Sequence, residues 1–120
     1  MRYLLLIYGD EEAWAGMSPE AQADEFQAYD GYTKWLGEKG WYRSGEPLES
    51  STTATQVRLR DGKVLTTDGP FMETKEQLGG FYLIECANLD QAIEAASKLP
   101  AARGGVIEVR PIAELPLSGM

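Results

Sequence analysis

Five charged residues, Arg58, Arg60, Glu85, Glu108 and Arg110, stand in segments that otherwise read as β-strands. Charged side chains in such segments are rarely buried without partners. Asp68 opens the stretch Asp68-Gly69-Pro70-Phe71, which runs on through Glu73, Lys75 and Glu76 to Gly79-Gly80. Together these residues allow one kind of chemistry. Arg58 or Arg110 would hold a small acid or carbonyl compound, while Asp68 or Glu108 moves a proton. Each also has a plain structural role open to it. Asp68 suits a turn, where its carboxylate accepts from following backbone amides. The strand charges suit an ion-pair network at an edge or interface, and Glu73, Lys75 and Glu76 suit a solvated rim.

Tyr8, at the end of the first strand, and Tyr82 could each donate a hydrogen bond into a pocket, or pack in the core with a satisfied hydroxyl. Trp14, Trp35 and Trp41 suit an aromatic lining or ordinary packing. The candidate cleft is therefore lined by Tyr8, Arg58, Asp68, Phe71, Tyr82 and Arg110. Cys86 has no basic neighbour in sequence to activate it and reads as a buried thiol. The chain has no histidine and one cysteine, which removes the commonest general base and any Cys/His zinc site. No metal and no cofactor is expected. Gly79-Gly80 is not followed by Gly-Lys-Ser/Thr, so no phosphate loop is present.

At 120 residues the chain should form one domain, residues 1–112, with a tail over 113–120. A formal charge of −8 disfavours binding to nucleic acid, which needs clustered Lys and Arg, and to anionic membranes. The longest apolar run, Tyr3 to Tyr8, is far short of the roughly 20 residues of a membrane span. No secretory signal is recognisable at the start. A lone cysteine fits a reducing compartment, and a cytoplasmic location is expected.

The elements that must position these residues follow from pattern. Arg2–Tyr8 is a continuous apolar run, read as a strand buried on both faces. Residues 11–17 read as a loop. Ser18-Pro19 offers an N-cap and first-turn proline for a helix with Phe26, Tyr29, Thr33 and Leu36 on one stripe, stopped at Gly40. A brief strand is expected within 41–48 and a polar loop over 49–55. Residues 55–60 and 63–67 alternate around Asp61-Gly62, a hairpin signal. Gly69 permits a positive φ at the following kink. Residues 80–86 form the next strand, apolar on both faces. Asn88 caps a second helix with Gln91 in capping-box position, apolar along Leu89, Ala92, Ile93, Ala96 and Leu99, and Pro100 ends it. Residues 105–110 form the last strand. The plan is α+β: ferredoxin-like β-α-β-β-α-β with an inserted hairpin. Its helices cover one face of the sheet, leaving a second apolar face that a second copy of the chain would cover.

The opening Arg2-Tyr3-Leu4-Leu5-Leu6-Ile7-Tyr8-Gly9, the Asp68-Gly69-Pro70-Phe71 stretch through Gly79-Gly80-Phe81-Tyr82, and Glu108-Val109-Arg110-Pro111-Ile112 resemble DGPF-domain proteins of the YCII-related group. The resemblance spans residue 1 to about 112. It implies a ferredoxin-like chain that pairs as a dimeric α+β barrel, and it implies no particular activity. Members are often encoded beside extracytoplasmic-function sigma factors, which implies a regulatory setting. A histidine and an aspartate thought to act as an acid/base pair in the YCII-like branch fall near Tyr29 and at Leu99 here, so this chain lacks that dyad.

Three functions are consistent with these features. The first is a homodimer binding a small organic molecule between the sheet and the 68–71 loop. The second is a cofactor-independent enzyme using Asp68 or Glu108 with Arg58 or Arg110. The third is a protein partner in sigma-factor-linked regulation.

Overall fold

The computed structural model describes residues 1–70 and 75–116. Strand β1 (Arg2–Gly9) lies second from one edge of a four-stranded sheet, paired antiparallel on both sides. Its side chains alternate. Tyr3, Leu5 and Ile7 are buried toward the helices, while Leu4, Leu6 and Tyr8 on the other face are half-buried. The apolar run therefore has one covered face instead of the two expected, because both long helices pack on the same side.

Residues 11–17, expected as a loop, begin with a short helix, α1 (Glu11–Ala15). Asp10 caps it, its Oδ1 accepting from the Glu12 and Ala13 amides at 3.0 and 3.2 Å. The capping carboxylate and two first-turn glutamates suffice to start a turn of helix without an apolar stripe. Helix α2 (Pro19–Lys39) follows, with Ser18 Oγ accepting from Ala21 N at 3.1 Å. Gly40 stops it in the left-handed conformation, φ 75°. Its buried face carries Tyr32 and Leu36, with Tyr29 and Trp35 partly buried beside them. Phe26, expected on that stripe, is 61% exposed and instead meets Trp14 edge-on at 5.4 Å. Its apolar contact is thus with Trp14 of α1 and not with the buried core.

Strand β2 (Tyr42–Pro47) runs back to a 3₁₀ turn at Ser51–Thr53. The inserted hairpin is β3 (Thr55–Arg60) and β4 (Lys63–Asp68), joined at Asp61-Gly62 with φ of 53° and 74°. Two consecutive positive φ angles make the primed turn whose twist matches the strands. Gly69 does not take the positive φ allowed to it, and the Gly69–Pro70 peptide is cis. Strand β5 (Gln77–Glu85) starts three residues earlier than expected. Helix α3 (Leu89–Ser97) is capped by Asn88 Oδ1, which accepts from Gln91 N at 3.0 Å, while Gln91 Oε1 accepts from Ala87 N at 2.8 Å. Pro100–Arg103 forms a 3₁₀ turn before β6 (Val106–Pro111).

The sheet order is β2-β5-β1-β6, entirely antiparallel, which is the ferredoxin-like α+β arrangement. The core lies between this sheet and the helices. Tyr3, Leu5 and Ile84 meet Tyr32, Leu36 and Leu99, with Ala92, Ala95 and Ala96 letting α3 approach closely. Leu89 and Ile93, expected on the buried stripe of α3, are each 50% exposed. Ala92, Ala96 and Leu99 of that stripe are buried as expected, and Ala95 joins them in facing the sheet.

The β3–β4 hairpin stands apart as an arm, and every residue of both strands is exposed. The radius of gyration, 16.5 Å, exceeds the about 14 Å of a compact chain of this length. The molecule spans 49 × 46 × 19 Å, so the arm extends within the plane of the two layers.

Gly105 precedes β6 where the backbone passes the Tyr8 carbonyl. A Cβ at Gly105 would collide with the Tyr8 oxygen and lie 3.2 Å from the Ala101 oxygen. Gly105→Ala should therefore destabilise the protein by about 2–3 kcal/mol. Gly31→Ala, in the middle of α2 with open space around the added methyl, should instead stabilise by roughly 0.5–1 kcal/mol. Urea unfolding followed by circular dichroism measures both, and equal midpoints for Gly105→Ala and the parent would contradict the close approach.

Candidate functional site

The uncovered face of the sheet is the main candidate. Register places Leu4 between Leu83 and Arg110, Leu6 between Phe81 and Glu108, and Tyr8 between Leu78 and Val106. Directly paired residues share a face, so Leu4, Leu6, Phe81 and Leu83 form an apolar centre. None of those four is fully buried. Charges surround it. Arg110 Nη1 lies 3.5 Å from Glu108 Oε2, and Arg43 Nε lies 3.6 Å from Glu85 Oε1. At one end Arg2 donates to both oxygens of Glu114 at 2.8 and 3.0 Å. That hydrogen bonding raises the guanidinium pKa of Arg2 and holds the Glu114 carboxyl below its usual range.

Tyr8, Glu108 and Arg110 thus come together on one face, with Glu108 diagonal to Tyr8 and Arg110 two residues further on. The remaining sequence candidates lie elsewhere. Tyr82 faces the helices, where its hydroxyl is 2.7 Å from Thr33 Oγ1. Thr33 donates its only proton to the Tyr29 carbonyl at 2.9 Å, so Tyr82 is the donor in that pair. Side-chain alternation along β5 separates Tyr82 from Phe81 and Leu83. Arg58 is exposed on the arm, opposite Leu65. Asp68 sits at the arm's base opposite Thr55, whose Oγ1 donates to it at 3.4 Å, and Gly69 N donates to the Ala54 carbonyl at 2.7 Å just beyond. Phe71 and Glu73 lie outside the described residues.

Sequence reasoning missed a polar clasp at the loop end of the sheet. Glu11 Oε1 accepts from Ser51 N at 2.7 Å, and its Oε2 accepts from Ser51 Oγ at 2.8 Å. The Glu11 amide donates to Gln77 Oε1 at 3.1 Å. One residue therefore ties α1 to the 3₁₀ turn before the arm through its carboxylate and to the start of β5 through its amide. The signal was Asp10-Glu11-Glu12, an N-cap followed by first-turn acids.

On the helix side, Lys39 Nζ lies 5.8 and 5.4 Å from the Trp35 and Trp41 ring centres, and Lys98 Nζ 5.3 Å from Trp35. These tryptophans pack edge-to-face at 5.7 Å. An open groove of about 290 Å³ runs between Ile93, Ala96 and Ser97 of α3, Ala102, and Ile107 and Val109 of β6. Cys86 is buried, and burial pushes its thiol pKa up. Among the described residues no three acidic or cysteine side chains are grouped to hold a metal ion, and no helix is long and apolar enough to cross a membrane.

Residues 1–116 match the YCII-related domain. The chain belongs to the YCII-related family. An uncharacterized protein of Rhizobium meliloti (strain 1021) is 38% identical over 115 residues, covering 94% of this chain and 93% of that protein. Within the YCII-related fold, the two positions that the dyad of the YCII-like branch would occupy are packing positions here. Leu99 is 1% exposed, and Tyr29 is half-buried and packs against the core.

Burial, with Glu25 nearby, pushes Tyr29 up to about 12. Tyr32 and Tyr82 are raised too, chiefly by burial. Folding thus favours the neutral phenols. Their contribution to stability is complete below pH 10, the ordinary phenol value, and is lost as pH rises toward 12 and beyond. Phenolate absorbance during an alkaline titration should show these tyrosines ionising together with loss of the far-ultraviolet helix signal. Ionisation of all six tyrosines near pH 10 with the fold intact would contradict it.

Proposed function

We propose that the protein works as a homodimer whose two open sheet faces enclose a binding site for a small organic anion. The observation that supports this is the apolar centre Leu4, Leu6, Phe81 and Leu83, ringed by Arg2, Arg43, Arg110, Glu85 and Glu108. An exposed patch of this kind is a recognised mark of an interaction face. Both signs of charge on one face allow the same surface to meet itself across a two-fold axis. Arg110 would take the ligand's carboxylate, with Tyr8 as a hydrogen-bond donor. Asp68, at the end of β4, would close the cleft from the arm side.

A second reading, cofactor-independent catalysis, draws support from the Glu108–Arg110 pair beside Tyr8. A carboxylate next to a guanidinium can pass a proton to or from a bound carbonyl compound while the charge on the ligand stays neutralised. Glu108 is the base in that reading, and arm-borne Arg58 would join only in the assembled dimer.

Light scattering after gel filtration should give the mass of a dimer, and Leu6→Arg should give a monomer that keeps its circular dichroism spectrum. Thermal shifts with acetate, pyruvate and benzoate as probes should raise the parent's melting temperature and leave Arg110→Gln unmoved. A monomeric parent would overturn the dimer. A dimer stabilised equally by these acids with and without Arg110 would overturn the site.

A further inference from the structure

Arg2, Arg43 and Arg110 at the open face each meet a glutamate of their own chain, but they are held differently. Arg43 is committed to the backbone. Its Nη1 donates to the Gly40 and Tyr42 carbonyls at 3.1 and 2.8 Å, while its Nε lies 3.6 Å from Glu85. Arg110 stands 3.5 Å from Glu108 on the same strand. Among the described residues, Arg2 alone is gripped on both prongs of its guanidinium, by Glu114 at 2.8 and 3.0 Å.

Glu114 also differs from Glu85 and Glu108 in origin. Those two belong to β5 and β6, whereas Glu114 follows the end of β6 at Pro111, with 62% of its side chain exposed. The segment after β6 is attached without it, since the Ile112 amide donates to the Arg2 carbonyl at 2.9 Å.

We propose that Arg2 is the second half of a site for a short-chain dicarboxylate, and that Glu114 occupies it as a stand-in for the ligand's second carboxylate. This rests on the reading of Arg110 as the partner of a ligand carboxylate. Geometry is the first argument. A guanidinium fork on both oxygens of one carboxylate is how arginine recognises a carboxylic acid, and Glu114 holds Arg2 in that pose. Spacing is the second. Arg110 is directly opposite Leu4, and Arg2 lies two residues from Leu4 on the same face of β1. At about 3.3 Å per residue and about 4.8 Å between strands, the two arginine α-carbons are roughly 8 Å apart. Half-buried Leu4 stands between them. A few methylenes would lie on Leu4 while each end of the ligand meets one guanidinium. Glu85, across from Arg2 on β5, is engaged by Arg43.

Energetics is the third argument. An exposed ion pair is worth little by itself, so Glu114 orients Arg2 without holding it fast. A ligand that also gains Leu4 and Arg110 outweighs it. A monocarboxylate reaches Arg110 only and leaves Glu114 in place.

Calorimetric titration with glutarate and valerate, five-carbon acids that differ in the second carboxylate, tests this. The parent should bind glutarate roughly tenfold more tightly than valerate, and Arg2→Gln should abolish that preference. Glu114→Ala should tighten glutarate about three- to fivefold, a gain absent when Arg2→Gln is added. Circular dichroism should be unchanged throughout, since these side chains are exposed. Suppose binding needs Arg110 but shows no glutarate preference, keeps the preference in Arg2→Gln, or is unmoved by Glu114→Ala. Any of these overturns the role of Arg2 and Glu114 and leaves the Arg110 site standing. Binding that is equal in the parent and Arg110→Gln, or absent from the parent, overturns the Arg110 site and this proposal with it.

Discussion

Every placement in this molecule depends on the register of β1 between β5 and β6. In an antiparallel sheet a slip of one residue would turn Tyr3, Leu5 and Ile7 outward and bring Leu4, Leu6 and Tyr8 under the helices. The native register is held by Tyr3, Leu5 and Ile84 against Tyr32, Leu36 and Leu99, which together exclude water from the helix side. It is also held by the close passage of Gly105 against the Tyr8 backbone, which admits no side chain. With that register set, Glu108 and Arg110 fall on the open face, and Tyr82 falls on the covered one. The chemistry available to the protein is thus decided by which side of a single strand faces the helices.

Much of this was legible in the sequence because the signals are local. Asp61-Gly62, Ser18-Pro19, Gly40 and Asn88 with Gln91 each carry turn or cap chemistry within a few residues, and each sits at its expected boundary. The ferredoxin-like order followed from them, and the second apolar face followed from Leu and Phe at alternate positions of β1 and β5. What was not legible depends on distance and direction. Nothing in the spacing of Phe26 shows that it meets Trp14 of α1 and stays outside the core. Ala92, Ala96 and Leu99 were legible as buried positions of the α3 stripe, but nothing local shows that Leu89 and Ile93 stay half in water while Ala95 turns to the sheet.

The candidate site was legible in part for the same reason. Tyr8, Glu108 and Arg110 gather because their strands are neighbours, which the topology predicts. Tyr82 was grouped with them by chemistry alone, and strand alternation carries it to the opposite face. Glu11 escaped notice because its partners are 40 and 66 residues away, and because a carboxylate in an acidic run looks like ordinary solvated surface. Its hydrogen bonds make it a structural tie, fixing the point from which the arm departs.

The arm lies outside the ferredoxin-like plan and buries nothing within its own chain. Its two strands can therefore change residue by residue, or lengthen by pairs, without disturbing one contact in the core. A surface that is built with sheet regularity yet diverges freely is well suited to act as an address.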